Sequence, residues 1–169
     1  MVSSVARAIA IDSGLTRQEQ EDAQVAGVLH DVGKLLLLRM PGFSPPTSLL
    51  GGVPALGAEY QKYGASHAEL GAYLLGIWGL PEPIVEVAAF HHRLHKVTTD
   101  GINIVAAVHI ADSLYYFNRD LSSGRIDKKA PASADIAKYL NPDWLKIHGP
   151  PTQLERWAVY SASLASASK

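Results

Sequence analysis

Apolar residues recur along this chain at intervals of three and four, and the runs are broken by glycine, proline and helix-capping residues, a rhythm that specifies helices. Val5, Ile9 and Ala10 begin it, and Ser13-Gly14 ends the first helix. Thr16, with Glu19 three residues on, reads as a capping box that opens the second. From Gln18 onward Ala23, Val25, Ala26, Val28, Leu29, Val32, Leu35 and Leu36 predict a central helix to about Arg39, with His30 and Asp31 in its middle. Pro41 to Pro54 is rich in proline and glycine and predicts a mobile flap. Ala55 to Tyr63 predicts a helix ended by Gly64, and Ser66 caps another that carries His67, Leu70, Leu74 and Leu75. Pro81 suits the first turn of the next helix, which ends at His91-His92. Ile102 to Phe117 predicts a helix bearing His109 and Asp112, Asp120 to Ser133 a surface loop, Asp135 to Leu140 a short helix, and Thr152 to Ala165 the last one. Strand-like alternation is confined to Lys96 to Thr99, so the fold class is all-α, a multi-helix bundle.

Composition narrows the function classes. The 169 residues suit one domain, and 47% apolar with 18% charged residues is too apolar for a disordered chain. Fifteen basic residues stand against 16 acidic ones, and no block of like charge is longer than Lys128-Lys129, so a nucleic-acid polymer is not an expected partner. The chain has no cysteine, which leaves any transition-metal site to imidazole and carboxylate and favours a reducing compartment. The longest aliphatic run, Leu35 to Leu38, is far too short to span a bilayer, so the expectation is a cytoplasmic protein without a membrane partner.

Five of the seven histidines (His30, His67, His91, His92 and His109) fall within or at the end of apolar helices. Two of those places are His-Asp or His-His doublets. Helix neighbours point about 100° apart, so a doublet turns one side chain into a cleft and sets the other beside it. Several helices offering such groups to one centre make a metal site in a bundle core. Each residue also has an ordinary reading: a partly buried polar patch for His30-Asp31, a cap or core residue for His67, favourable charge at a helix C-terminus for His91-His92. A purely structural histidine cluster without an ion therefore stays open. Asp112 follows an apolar run from Val105 to Ala111, where a buried carboxylate needs a cation or donors, and His109, on the same face, reads as its partner. Lys34 shares a face with His30, where it could meet a phosphate oxygen, and Gly33 suits a close approach by a ligand or another helix. His95 and His148 read as solvated loop residues, and Trp144 and Trp157 as core.

Four spaced motifs resemble the HD superfamily, and most of all its HDOD branch: Gly27-Val28-Leu29-His30-Asp31-Val32-Gly33-Lys34-Leu35, then Tyr63 to Leu75 around His67, then Trp78-Gly79-Leu80-Pro81 leading to His91-His92, then Val108-His109-Ile110-Ala111-Asp112. The resemblance covers about residues 1 to 115. It implies a single HD-type bundle over residues 1–169 in which His30, Asp31, His67, His91, His92 and Asp112 are metal ligands. One or two divalent ions, iron, manganese, nickel or zinc, would be bound. In catalytic relatives such a centre hydrolyses phosphate esters, which would give Asp31 and Lys34 catalytic roles, Lys34 neutralising the phosphoryl oxygens.

Two departures shape the expectation. The family's first ligand histidine would fall before Met1, so the chain either is N-terminally truncated or lacks one ligand. The related HD-GYP phosphodiesterases would follow the histidine doublet with a glutamate and a Gly-Tyr-Pro signature, whereas this chain reads Arg93-Leu94-His95-Lys96, which argues against cyclic di-GMP hydrolysis. HDOD domains resemble output or scaffolding modules of bacterial signalling proteins, often joined to receiver domains. The resemblance thus implies a response-regulator-type signal-transduction module with a metal-binding cleft, partnered by other signalling domains such as an upstream receiver. The alternative is a metal-dependent phosphohydrolase acting on a nucleotide or cyclic dinucleotide.

Overall fold

The structure, a computed structural model, describes residues 1–42, 53–94, 101–125 and 133–167. Among them every regular element is a helix: α1 (Val2–Asp12), α2 (Arg17–Leu29), α3 (Gly33–Leu37), α4 (Val53–Tyr63), α5 (His67–Ile77), α6 (Glu82–Phe90), α7 (Ile104–Ser122), α8 (Ser133–Ala137), α9 (Pro142–His148) and α10 (Leu154–Ala167). None of them is long and apolar enough to cross a membrane. The predicted flap from Pro41 to Pro54 lies largely outside the described residues, as do His95 and the strand-like stretch from Lys96 to Thr99.

The axis of the bundle is α7, in which every residue from Ile104 to Leu114 is buried. Only a helix surrounded by others can be apolar on all sides. Helices α1, α2, α6 and α10 pack on it, and the core runs through Val5, Ile9, Ala26, Leu75, Val87, Val108 and Ile110. The predicted capping box of Thr16 with Glu19 forms, and the expected cap Ser66 makes a second box with Glu69, so the starts of α2 and α5 are set locally. Trp144 and Trp157 are core residues as expected, and the indole N–H of Trp157 donates to Asp12 at 2.8 Å, tying α10 to α1.

Three expectations need correction. The long central helix is interrupted at His30–Val32: the N–H groups of Val32, Lys34 and Leu35 bond carbonyls three residues back, and α3 starts afresh at Gly33. Such tightened turns change which side chains share a face. The supposed loop from Asp120 begins too early, because α7 continues to Ser122. Its polar end is buried and partnered there: Asn118 donates to Ser161 at 2.9 Å, and Asp120 accepts from Tyr139 at 3.0 Å and pairs with Arg125 at 3.2 Å. His148 is exposed as expected, yet it closes a helix, α9, that the apolar pattern did not announce.

The interruption coincides with a backbone crossing. A Cβ on Gly33 would lie 1.9 Å from the carbonyl oxygen of His67 and 2.6 Å from the amide nitrogen of Gly71, so α3 and α5 touch through main-chain atoms. Of the two roles the sequence left for Gly33, the approach of another helix is the one realised. Gly33→Ala is expected to cost about 1–3 kcal/mol or more through overpacking. Gly57→Ala, on α4 with open space around it, should gain about 0.5–1 kcal/mol. Urea denaturation of the two variants against wild type checks both signs.

Candidate metal centre

Four helical segments converge where α3 crosses α5. The turn after α2 supplies His30 and Asp31, the first residue of α5 is His67, the end of α6 supplies His91 and His92, and the middle of α7 supplies Asp112. Ligand-type atoms of Asp31, His67, His91 and His92 lie within 4.8 Å of one another, and so do those of His30, Asp31 and Asp112, with Asp31 common to both groups. All six residues singled out from sequence as ligands are therefore in one place.

Asp31 is the hub. Its Oδ1 is 3.3 Å from His67 Nε2 and 3.7 Å from His91 Nε2, and its Oδ2 is 3.4 Å from His30 Nε2 and 2.5 Å from the Lys34 ammonium. His30 Nε2 also stands 3.5 Å from Asp112 Oδ1. Lys34 thus lies at the rim, paired with Asp31 rather than free on the His30 face.

The rings are turned by their other nitrogens. His30 Nδ1 faces the Gly27 carbonyl at 3.2 Å, and His91 Nδ1 faces the carbonyls of Val87 and Ala88, both at 3.1 Å. A carbonyl only accepts, so Nδ1 carries the proton and Nε2 is left for the cleft. For His67 the partner is the buried carboxylate of Glu59, which accepts from Nδ1 at 2.7 Å and from the His67 backbone N–H at 2.8 Å.

Charge follows burial and these contacts. Burial works against ionising Asp31, but His30 and Lys34 outweigh it and hold the carboxyl far below the usual range. Burial likewise opposes a charge on His30, yet with no cation between them Asp112 and Asp31 carry its pKa up to about 10, putting on Nε2 a proton that an ion bound there would displace. Burial pushes His91 down and His92 well down, so both are neutral. Glu59 is lowered despite its burial, by the bonds to His67. Lys34 is raised, burial being overcome by Asp31.

That arrangement is incomplete by itself. The Nε2 atoms of His30, His67, His91 and His92, and Oδ1 of Asp31, are buried without a hydrogen-bond partner. Each such group costs about 1–3 kcal/mol. The neutral His91 also aims an Nε2 lone pair at an ionised carboxylate oxygen, which is repulsive unless a cation lies between them. The donor set of imidazole and carboxylate fits a divalent transition ion, so this cluster can hold one.

Three residues near the centre escaped the sequence reading. Glu59 stands eight residues before His67 across a helix boundary, where no spacing rule connects them. Tyr116 was findable, since it is four residues after Asp112 on the same face of α7; burial and then Asp112 raise its pKa, and Lys34 acts against them. Asn141, just before Pro142, had a helix-start signal that was passed over. His109, conversely, offers nothing to the cleft: its Nδ1 faces the His91 carbonyl at 2.6 Å and its Nε2 accepts from the Asn141 backbone N–H at 2.9 Å.

Known proteins agree with this architecture. The HD domain of the L. monocytogenes phosphodiesterase PgpH superposes with a TM-score of 0.53 over 100% of this chain and 90% of that one, at 19% identity. The same domain in complex with cyclic-di-AMP gives 0.52 over 99% and 88%, at 18% identity. At that identity the likeness concerns the fold. An uncharacterized protein of Treponema pallidum is 24% identical over 104 residues, which are 57% of this chain and 20% of that protein's length. The HDOD domain family matches residues 1–94, from α1 through the histidine doublet, and the chain belongs to that family.

Proposed function

We propose that this chain is a metal-binding HDOD output module of a bacterial signalling protein, with His30, Asp31, His67, His91, His92 and Asp112 holding one or two divalent transition ions. One observation carries the metal reading: the buried, unpartnered Nε2 atoms of His30, His67, His91 and His92 converge on Asp31. The absence of cysteine suits an ion bound by nitrogen and oxygen in a reducing cytoplasm. That a much longer T. pallidum protein contains a related segment supports a module joined to other domains, of which an upstream receiver is the expected kind.

A second reading is hydrolysis of a phosphodiester in a nucleotide or cyclic dinucleotide. It is favoured by Lys34, a cation at the open edge of the cluster, and by the fold shared with a domain bound to cyclic-di-AMP. When bound, the ion would supply Lewis acidity toward a phosphoryl oxygen. Lys34 would offset phosphoryl charge while Asp31 keeps it in place, Glu59 would keep His67 oriented, and the buried helix side of the cleft would exclude bulk water.

Purified without chelator or histidine tag, wild type is expected to carry near-stoichiometric transition metal by plasma mass spectrometry, and Asp31→Ala to lose it. An empty, folded wild type would sink the metal reading. A phosphodiester panel then separates the two functions: turnover abolished in Asp31→Ala and reduced in Lys34→Ala supports the enzyme, and a metal-loaded wild type without turnover leaves the output module. Glu59→Ala should weaken metal retention about 10–100-fold, and Glu59→Gln, which retains an acceptor oxygen for Nδ1, should retain more of it; dialysis against graded chelator reads both.

A further inference from the structure

The histidine doublet ends α6, where the last carbonyls of a helix have no partner within it. Both doublet carbonyls are nevertheless met, and by the half of the chain beyond the family match. His109 of α7 donates from Nδ1 to the carbonyl of His91 at 2.6 Å, and the Asn141 amide donates from Nδ2 to the carbonyl of His92 at 3.3 Å. The tautomer of His109 is forced: the Asn141 backbone N–H can only donate, so Nε2 of His109 must accept and the proton must sit on Nδ1. Asn141 has every polar group engaged. Its Oδ1 accepts from the N–H groups of Asp143 and Trp144 to cap α9, and its carbonyl accepts from the Leu145 N–H. His109 and Asn141 are both buried, so neither bond has water as a ready substitute.

We propose that His109 and Asn141 are positioning residues of the metal centre, holding the backbone of the His91–His92 doublet from behind so that both Nε2 atoms face Asp31. Neither touches the ion or a substrate. The inference rests on the metal reading above and adds that the start of α9 belongs to the centre. Coupling of this kind is reciprocal: metal binding also tightens the start of α9.

The test is Zn²⁺ affinity of the whole chain, titrated against a chromophoric chelator, with folding checked by circular dichroism. His109→Leu is expected to bind about 10–100-fold more weakly. His109→Asn places an amide donor where Nδ1 stood and recovers much of the loss. Tyr139→Phe, which removes the bond from α8's end to Asp120 without touching the doublet, binds as wild type. A folded His109→Leu with wild-type affinity overturns the proposal, and so does a His109→Asn no better than His109→Leu. Should His109→Leu fail to fold, Asn141→Asp decides: it keeps the cap on α9 but loses the donor to His92, and undiminished affinity there overturns the proposal. A wild type that binds no Zn²⁺ removes the metal reading and this one with it, whereas a wild type that binds as tightly as all its variants removes this one alone. Hydrogen exchange gives an independent arm: the N–H groups of Asn141 and Trp144 should exchange more slowly with Zn²⁺ present, and unchanged exchange in a Zn²⁺-loaded chain counts as refutation.

Discussion

One half-buried carboxylate, with its Oδ1 shut off from solvent, organises this molecule. Asp31 faces His30, His67 and His91 through its two oxygens and pairs with Lys34, and His30 and Lys34 hold its carboxyl far below the usual range against its partial burial. An anion withdrawn from water must be offset by cations and donors, or its desolvation would cost several kcal/mol. His30 from the turn after α2 and Lys34 from α3 offset it, and the groups that α5, α6 and α7 bring to the same place make the packing of those elements and the chemistry of the centre one problem.

The solution relies on main-chain atoms. Gly33 lets α3 lie against the carbonyl of His67, which sets the first residue of α5 beside Asp31. The backbone carbonyls of Gly27, Val87 and Ala88 hold the Nδ1 protons of His30 and His91, and the carbonyls of His91 and His92 are held in turn from α7 and α9. Backbone groups of packed helices have few conformations, so rings tied to them are aimed with little loss of side-chain freedom. Glu59 is the exception, a side chain that orients a ring, and it too is buried.

The all-α class, the capping residues Thr16 and Ser66 and the glycine and proline stops were readable along the chain, because each depends on neighbours three or four residues away; the six clustered residues stood out as a set through the resemblance of four spaced motifs to the HD superfamily. The interruption after Leu29 was not. His30 and Val32 keep helical dihedrals, and only the hydrogen bonds shift to shorter spacing, in a place where α3 must meet α5. The polar end of α7 looked like a loop because Asn118 and Asp120 find their partners in Ser161 and Tyr139, far along the chain. Helix α9 is too short to show a period, and its one local signal, Asn141 before Pro142, has its fuller meaning only against His92 and His109.

The residue types at the centre, the helices that carry them and the limits on the ion's chemistry were therefore determined by the sequence alone: without cysteine only imidazole and carboxylate remained, and local periodicity put them on helices. Tertiary structure decided that Asp31 is shared, that Lys34 is held by it, that His109 faces backbone rather than the cleft, and that Glu59 and Asn141 take part. The reason is physical. Helix propensity and capping act within a turn, whereas the orientation of an imidazole and the charge of a buried carboxylate depend on whichever groups packing brings within about 3–4 Å, and those come from segments that sequence spacing does not relate.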